Sequence, residues 1–232
     1  MTAENVLLED TQWKAYYRFL GFMAIVLFAI IPFQAAVYFI APPPKTIVDF
    51  FKVYQRNWML GLLDLDLSLT VDNLIFMLVY IGFYNLLKKY NKPLATVGLV
   101  AAIISIILYV VSREGLFSMM SLSGQYFAAA SDAEKTAIAT IGQAMLTIFN
   151  GTCFDVSYVL GGVAIIIFSI IMIKGDVFTK ATGWTGFIMG VLMLVPPTAG
   201  QPGFILSFLS LLPLMVWLIM IALRFFKLGK KS

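Results

Sequence analysis

Histidine is missing from all 232 residues, and that single absence removes a wide range of chemistry. Bis-histidine haem, histidine-ligated zinc or copper, and Ser-His or Cys-His nucleophile pairs have no residue to build them. Cysteine is reduced to Cys153, so no intramolecular disulfide forms. It reads as a small apolar residue near the outer surface, with an intermolecular bridge the less favoured alternative. No lysine falls in the middle of an apolar run, which leaves a retinal-type Schiff base without an attachment point. Charge of either sign is scarce, at 12% of the chain, and no polar linker or low-complexity segment interrupts the sequence. A single domain over residues 1–232 is expected.

What fills the space is apolar. With 61% of residues hydrophobic and runs of about 20 recurring, the composition leaves the soluble range and indicates an integral membrane protein. The spacing predicts six spans: Tyr17 to Ile40, Trp58 to Leu87, Leu94 to about Met120, Thr152 to Ile173, Gly183 to Val195 and Phe204 to Leu223. β-Barrel strands would be runs of about 10 residues with a polar lumen face, whereas these runs are continuous. The fold class expected is all-α, a polytopic membrane helix bundle. The first run is too long for a signal-peptide core and lacks a small-residue cleavage site before Pro42, Pro43 and Pro44, so it is read as retained.

Orientation follows from the cationic residues near span ends, which favour the cytoplasmic side. With the N-terminus inside, Lys14, Arg18, Lys88, Lys89, Lys92, Lys174, Lys180, Arg224, Lys227, Lys230 and Lys231 fall on inner segments, 11 of the 16 basic residues. Both termini are therefore expected in the cytoplasm, with the protein in the cell membrane as a multi-pass chain. The net charge of +4 needs no further partner. The basic residues flank spans and do not gather with aromatics on a soluble face, so no nucleic-acid partner is expected and the lipid bilayer is the expected one.

The longer connections all fall outside. In KTIVDFFKVYQRN, Ile47, Phe50, Phe51 and Tyr54 share one helical face, which is expected to lie in the membrane interface. Further on, Ser131-Asp132-Ala133-Glu134 has the capping-box pattern that starts a helix, expected to run toward Phe149 and to break at Asn150 and Gly151. The fifth span is short, ends at Pro196-Pro197, and carries Gly186 and Gly190 on a small face suited to close packing. Pro213 lies midway along the sixth, where it removes a backbone hydrogen bond and favours a kink.

The second span contains LDLDLSLTVDN, from Leu63 to Asn73, in which polar and apolar residues alternate. An EF-hand reading fails because Leu69 stands where a glycine must turn the chain and Ile75 where a bidentate glutamate must close the site. A strand would leave its backbone unpaired in lipid, at several kcal/mol per group. One continuous helix remains, and at about 100° per residue it sets Asp64, Ser68 and Asp72 on one face and Asp66, Thr70 and Asn73 on the other. Lipid tolerates no such helix on its surface, so a central position is expected.

Arg113, Glu114 and Asp155 approach from the same outer side, leaving one base beside five carboxylates: Asp64, Asp66, Asp72, Glu114 and Asp155. These residues, with Asn73, are the candidate ligand-binding set for an outward-facing acidic cavity that binds or passes a small cationic or polar solute. Asp72 is expected deepest, Asp64 and Asp66 nearer the opening, and Arg113 as internal counter-charge. The bland alternative is a cluster that only holds helices together. Two other classes stay open: an accessory subunit docking on membrane-protein partners, and an enzyme using paired carboxylates. No nucleophile motif, metal constellation or cofactor signature supports catalysis, and no catalytic, metal or cofactor residue is assigned.

The order of NWMLGLLDLDLSL, GFYNLLKKYNKPLATVGLV, LFSMMSLSGQYFAAASDAEKTAI, DVSYVLGGVAIIIFSIIMIKG and TGWTGFIMGVLMLV resembles the prokaryotic membrane family catalogued as domain of unknown function 4386. The likeness runs from about Tyr16 to Phe225. It implies a compact bundle of about six helices and brings no agreed reaction or ligand. The run Asp64, Asp66, Asp72 is more acidic than that resemblance leads one to expect.

Overall fold

The computed structural model describes residues 3–230, with side chains from residue 11 onward. Among the described residues it contains ten helices and no strand: α1 (Ala3–Ile40), α2 (Ile47–Arg56), α3 (Trp58–Asp64), α4 (Leu67–Leu87), α5 (Lys92–Ser112), α6 (Gly115–Ala128), α7 (Asp132–Phe149), α8 (Thr152–Lys174), α9 (Lys180–Leu192) and α10 (Gly200–Lys230). Five helical stretches are long and apolar enough to cross a membrane: Thr11–Ile40, Leu67–Leu87, Lys92–Ala128, Asp132–Lys174 and Gly200–Lys230. Without water every backbone group must be paired within the protein, which helices and closed barrels alone achieve, and continuous apolar runs of this length suit the helix. α9, with 13 residues, reaches about 20 Å at 1.5 Å per residue, short of the roughly 30 Å hydrocarbon core.

The helical path is interrupted at three points, Leu65–Asp66, Arg113–Glu114 and Asn150–Gly151, and only the last break was expected. The region from Trp58 to Leu87 is not one helix, because Leu65 and Asp66 form a turn between α3 and α4. Asp66 has φ +66°, the one positive φ at a non-glycine among the described residues. Aspartate tolerates this left-handed conformation better than most side chains. The two-faced helix expected for LDLDLSLTVDN is thereby corrected, and with it the depths that a straight helix implied. Arg113 and Glu114 make a second turn, where their N–H groups donate to Val110 and Val111, three residues back, at 3.0 and 3.2 Å. That tightening separates α5 from α6. The third break, at Asn150 and Gly151, is the one the sequence marked.

Two compact units emerge. The first comprises α1 up to Ala29, Leu74–Ser105 and the chain from Tyr158 on; the second comprises Ile30–Asn73 and Ile106–Ser157. In the first, Phe83 is wholly buried among Phe168, Phe178, Trp217 and Phe225, with ring centroids 5.4 to 5.7 Å away. The glycine face of α9 is used inside this unit. A Cβ at Gly190 would stand 2.8 Å from the Gly162 carbonyl, and one at Gly183 3.1 Å from the Ser169 carbonyl, so α9 and α8 touch backbone to backbone.

The second unit has its own core of Phe50, Phe51, Tyr54, Leu62, Leu65, Leu116, Met119, Leu122 and Ile138. α2 supplies three of these and rests on α6 and α7. Its apolar face, expected in the membrane interface, is thus buried against protein. Tyr54 donates to the Leu116 carbonyl at 2.8 Å, and Ser123 donates to the Phe51 carbonyl at 2.8 Å. α7 begins as its sequence predicts: the Ser131 hydroxyl accepts from the Glu134 N–H at 3.2 Å, while the Glu134 carboxylate accepts from the Ala130 N–H at 3.1 Å.

Candidate functional site

The three breaks meet at one guanidinium in the second unit. Arg113, on the α5/α6 turn, donates from Nη2 to Asp66 Oδ2 on the α3/α4 turn at 2.8 Å. From Nη1 it donates to the Phe149 carbonyl at the end of α7 at 2.8 Å, and to Ser112 Oγ at 2.9 Å. A carbonyl in the last turn of a helix has no partner within that helix, and a cation there also suits the negative end of the helix dipole. One side chain therefore completes hydrogen bonding at all three interruptions.

Rings close around the charge. The guanidinium carbon lies 3.8 Å from the Phe149 ring centroid, 4.4 Å from Tyr109 and 4.7 Å from Phe154. Desolvated contacts of this kind are worth up to about 2 kcal/mol each. Asp66 is enclosed as fully. Tyr38 of α1 donates to its Oδ1, and Tyr109 donates to Oδ2 at 3.4 Å. The paired side chains are 2% and 8% exposed, so the pair persists because both charges are met by several groups.

The other two aspartates of the stretch are not matched in this way. Asp64, the last residue of α3, and Asp72, on α4, are 5% and 8% exposed, and Oδ1 of each is buried with no protein hydrogen-bond partner. Leaving such a group unmatched costs about 1–3 kcal/mol, more if it is charged. No three His, Cys, Asp or Glu side chains converge among the described residues, so the aspartates do not form one carboxylate cluster. The remaining candidates are dispersed. Asn73 is half-buried and donates to the Leu69 carbonyl of its own helix at 2.9 Å. Glu114 is exposed, at the start of α6. Asp155 is half-buried in the first turn of α8, beside Phe154.

Several participants were not singled out from the sequence. Gln34, 3% exposed on α1, donates from Nε2 to the Leu63 carbonyl at 3.1 Å, while its Oε1 is buried and unpartnered. Tyr38 lies one helical turn further on. A polar residue inside the apolar run from Tyr17 to Ile40, followed at i+4 by a tyrosine, was the available signal. Tyr109 and Arg113 share the same spacing. On α2, outside the long apolar stretches, burial raises the Tyr54 hydroxyl above its ordinary pKa, with the nearby Asp64 charge adding to the rise. Exposed Asp49 is lowered, first by the Thr46 hydroxyl and then by Lys52.

No curated protein and no solved structure matches the chain. The family described as a domain of unknown function (DUF4386) matches residues 19–228. That covers most of the chain, and the protein belongs to this family.

Proposed function

We propose that the protein is a multi-pass protein of the cell membrane that binds, or passes, a small cationic or polar solute at the unmatched carboxylates of Asp64 and Asp72. In this reading α9 supplies a sixth, thinly embedded crossing, both termini lie in the cytoplasm, and the site opens outward. The observation that carries the reading is the contrast among three aspartates within nine residues: Asp66 is met by Arg113, Tyr38 and Tyr109, whereas Asp64 and Asp72 each keep a buried oxygen without a donor. Ionisable groups within membrane spans are costly and default to function. Interrupted helices at membrane depth are tolerated where protein or a cavity receives the freed backbone, a setting that transporters use for binding sites. Arg113 and Asp66 then serve as the frame, and Asp64 and Asp72 as the ligand groups.

The test is thermal stability of the detergent-purified protein against a panel of metal ions, amines and polar solutes. A solute bound by the native state at 100 times its Kd raises stability by about 2.7 kcal/mol. At least one panel member is expected to stabilise the parent and to lose that effect when Asp64→Asn and Asp72→Asn are combined. A parent indifferent to every member, or a double variant that responds as the parent does, overturns the reading.

A further inference from the structure

We infer that the Asp64 end of this site selects a monocation rich in N–H donors, a primary ammonium group, and that Gln34 is its specificity-determining residue. The inference rests on the reading of Asp64 as a ligand group. Two unmatched atoms lie on neighbouring segments. Gln34 Nε2 is held by the carbonyl of Leu63, the residue next to Asp64, which leaves Gln34 Oε1 as a buried acceptor with no donor. Asp64 Oδ1 is the other. Both are acceptors in need of hydrogens. An ammonium group offers three, with no lone pair to be left unpaired.

Charge narrows the class. Arg113 cancels Asp66, so a single carboxylate remains at this end. Calcium takes six to eight oxygen ligands and usually several carboxylates, whereas no three acidic, cysteine or histidine side chains converge among the described residues. One unmatched carboxylate and one unmatched neutral amide oxygen, on segments joined by the Gln34–Leu63 hydrogen bond, together match a single positive charge. A quaternary ammonium has that charge but no hydrogen for Gln34 Oε1, and the amide would stay unmatched.

Access is provided by α3. The carboxylate is covered, and the helix that ends on it has only seven residues. It is bounded by extended backbone at Asn57 (φ −153°, ψ 92°) and by the left-handed turn at Asp66. Short segments between two non-helical points move as units more readily than long helices do. A displacement of α3 carries Asp64 and the Leu63 carbonyl away from Gln34, which opens both acceptors to solvent, and its return closes them on the cation.

The test compares methylammonium, tetramethylammonium, potassium and magnesium chlorides, at equal ionic strength, as stabilisers of the full-length protein in detergent. Methylammonium is expected to raise the Tm, and the other three to leave it within error. Gln34→Leu is expected to weaken the methylammonium response at least tenfold in midpoint concentration, and Gln34→Glu, which adds a charge, to strengthen it. Stabilisation by tetramethylammonium equal to that by methylammonium, or a Gln34→Leu response equal to the parent's, overturns the proposal while leaving cation binding itself intact. Absence of any cation response in a folded parent overturns this proposal and the cationic form of the reading, whereas the polar-solute form falls only if the whole panel is silent. Should Gln34→Leu fail to fold, the Gln34→Glu response and the quaternary comparison decide alone.

Discussion

At the scale of single residues, Arg113 joins three chain interruptions of the second unit through Asp66 and the Phe149 carbonyl. Removing one member of a buried pair strands the other, at a cost of about 3–5 kcal/mol. Arg113→Met is expected to lower the unfolding midpoint of the purified protein accordingly. Arg113→Lys should recover only part of the loss, because a lysine offers a point charge where the guanidinium reaches Asp66 and the Phe149 carbonyl with separate nitrogens. Equal stability of the lysine variant and the parent would count against this role. Arg113 and the aspartates were legible in the sequence, since charges are rare in such runs. Which aspartate Arg113 takes was not, because it depends on a turn at Leu65 and Asp66 that the alternating pattern concealed. Gln34 and Tyr38 went unremarked because one amide and one hydroxyl barely disturb an apolar run. On the exposed side of α2, Asp49 is held below its ordinary pKa by Thr46 and Lys52. A lowered carboxylate contributes stability above its unfolded pKa and loses it as pH falls through the folded value, so the effect fades below about pH 4. Melts between pH 3 and 6 should show a slightly shallower acid dependence for Asp49→Asn.

At the scale of elements, α2, α6 and α7 form a layer whose seams are set by glycine and by caps. A Cβ at Gly142 would meet Ile47 Cδ1 at 2.6 Å and Phe51 Cζ at 2.8 Å, whereas one at Gly124 meets nothing within 4 Å. Alanine gains up to about 1 kcal/mol of helix propensity over glycine at either place. At Gly142 that gain is opposed by overpacking of about 1–3 kcal/mol. Gly124→Ala is therefore expected to stabilise and Gly142→Ala to destabilise, and calorimetry of the two variants checks the signs. Ser131→Ala should cost about 1 kcal/mol through the lost cap of α7. Local signals of this kind were readable: the capping box, the Asn150-Gly151 break and the apolar face of α2 all have counterparts in the structure. What covers that face was not, since periodicity shows that a face is apolar and not whether lipid or protein lies against it. The breaks at Asp66 and Arg113 were missed for a related reason. The first turn carries no glycine or proline and the second only Gly115 at its exit, and each is held by a partner distant in sequence.

At the scale of the whole molecule, composition and the length of the continuous apolar runs conveyed that the chain is helical and suited to a membrane, because barrel strands would be shorter and would alternate. The number of crossings depends on α9: a short span is expected from Gly183 to Val195, and the helix found there, Lys180–Leu192, is not among the stretches long and apolar enough to cross a membrane. The proposed topology makes a direct prediction. In a Cys153→Ala background, a cysteine at Ala133 should react with a membrane-impermeant maleimide applied to intact cells, and one at Lys92 should react only after the membrane is opened. The reverse pattern would turn the molecule over.

The central claim is that the second unit buries more carboxylate than it neutralises, and that the surplus recognises a cation. Isothermal titration of methylammonium into the protein in lipid nanodiscs tests it most directly. Saturable binding that disappears when Asp64→Asn and Asp72→Asn are combined, in a variant that still unfolds cooperatively, is the predicted result. Identical titration curves for the parent and that folded double variant would contradict it.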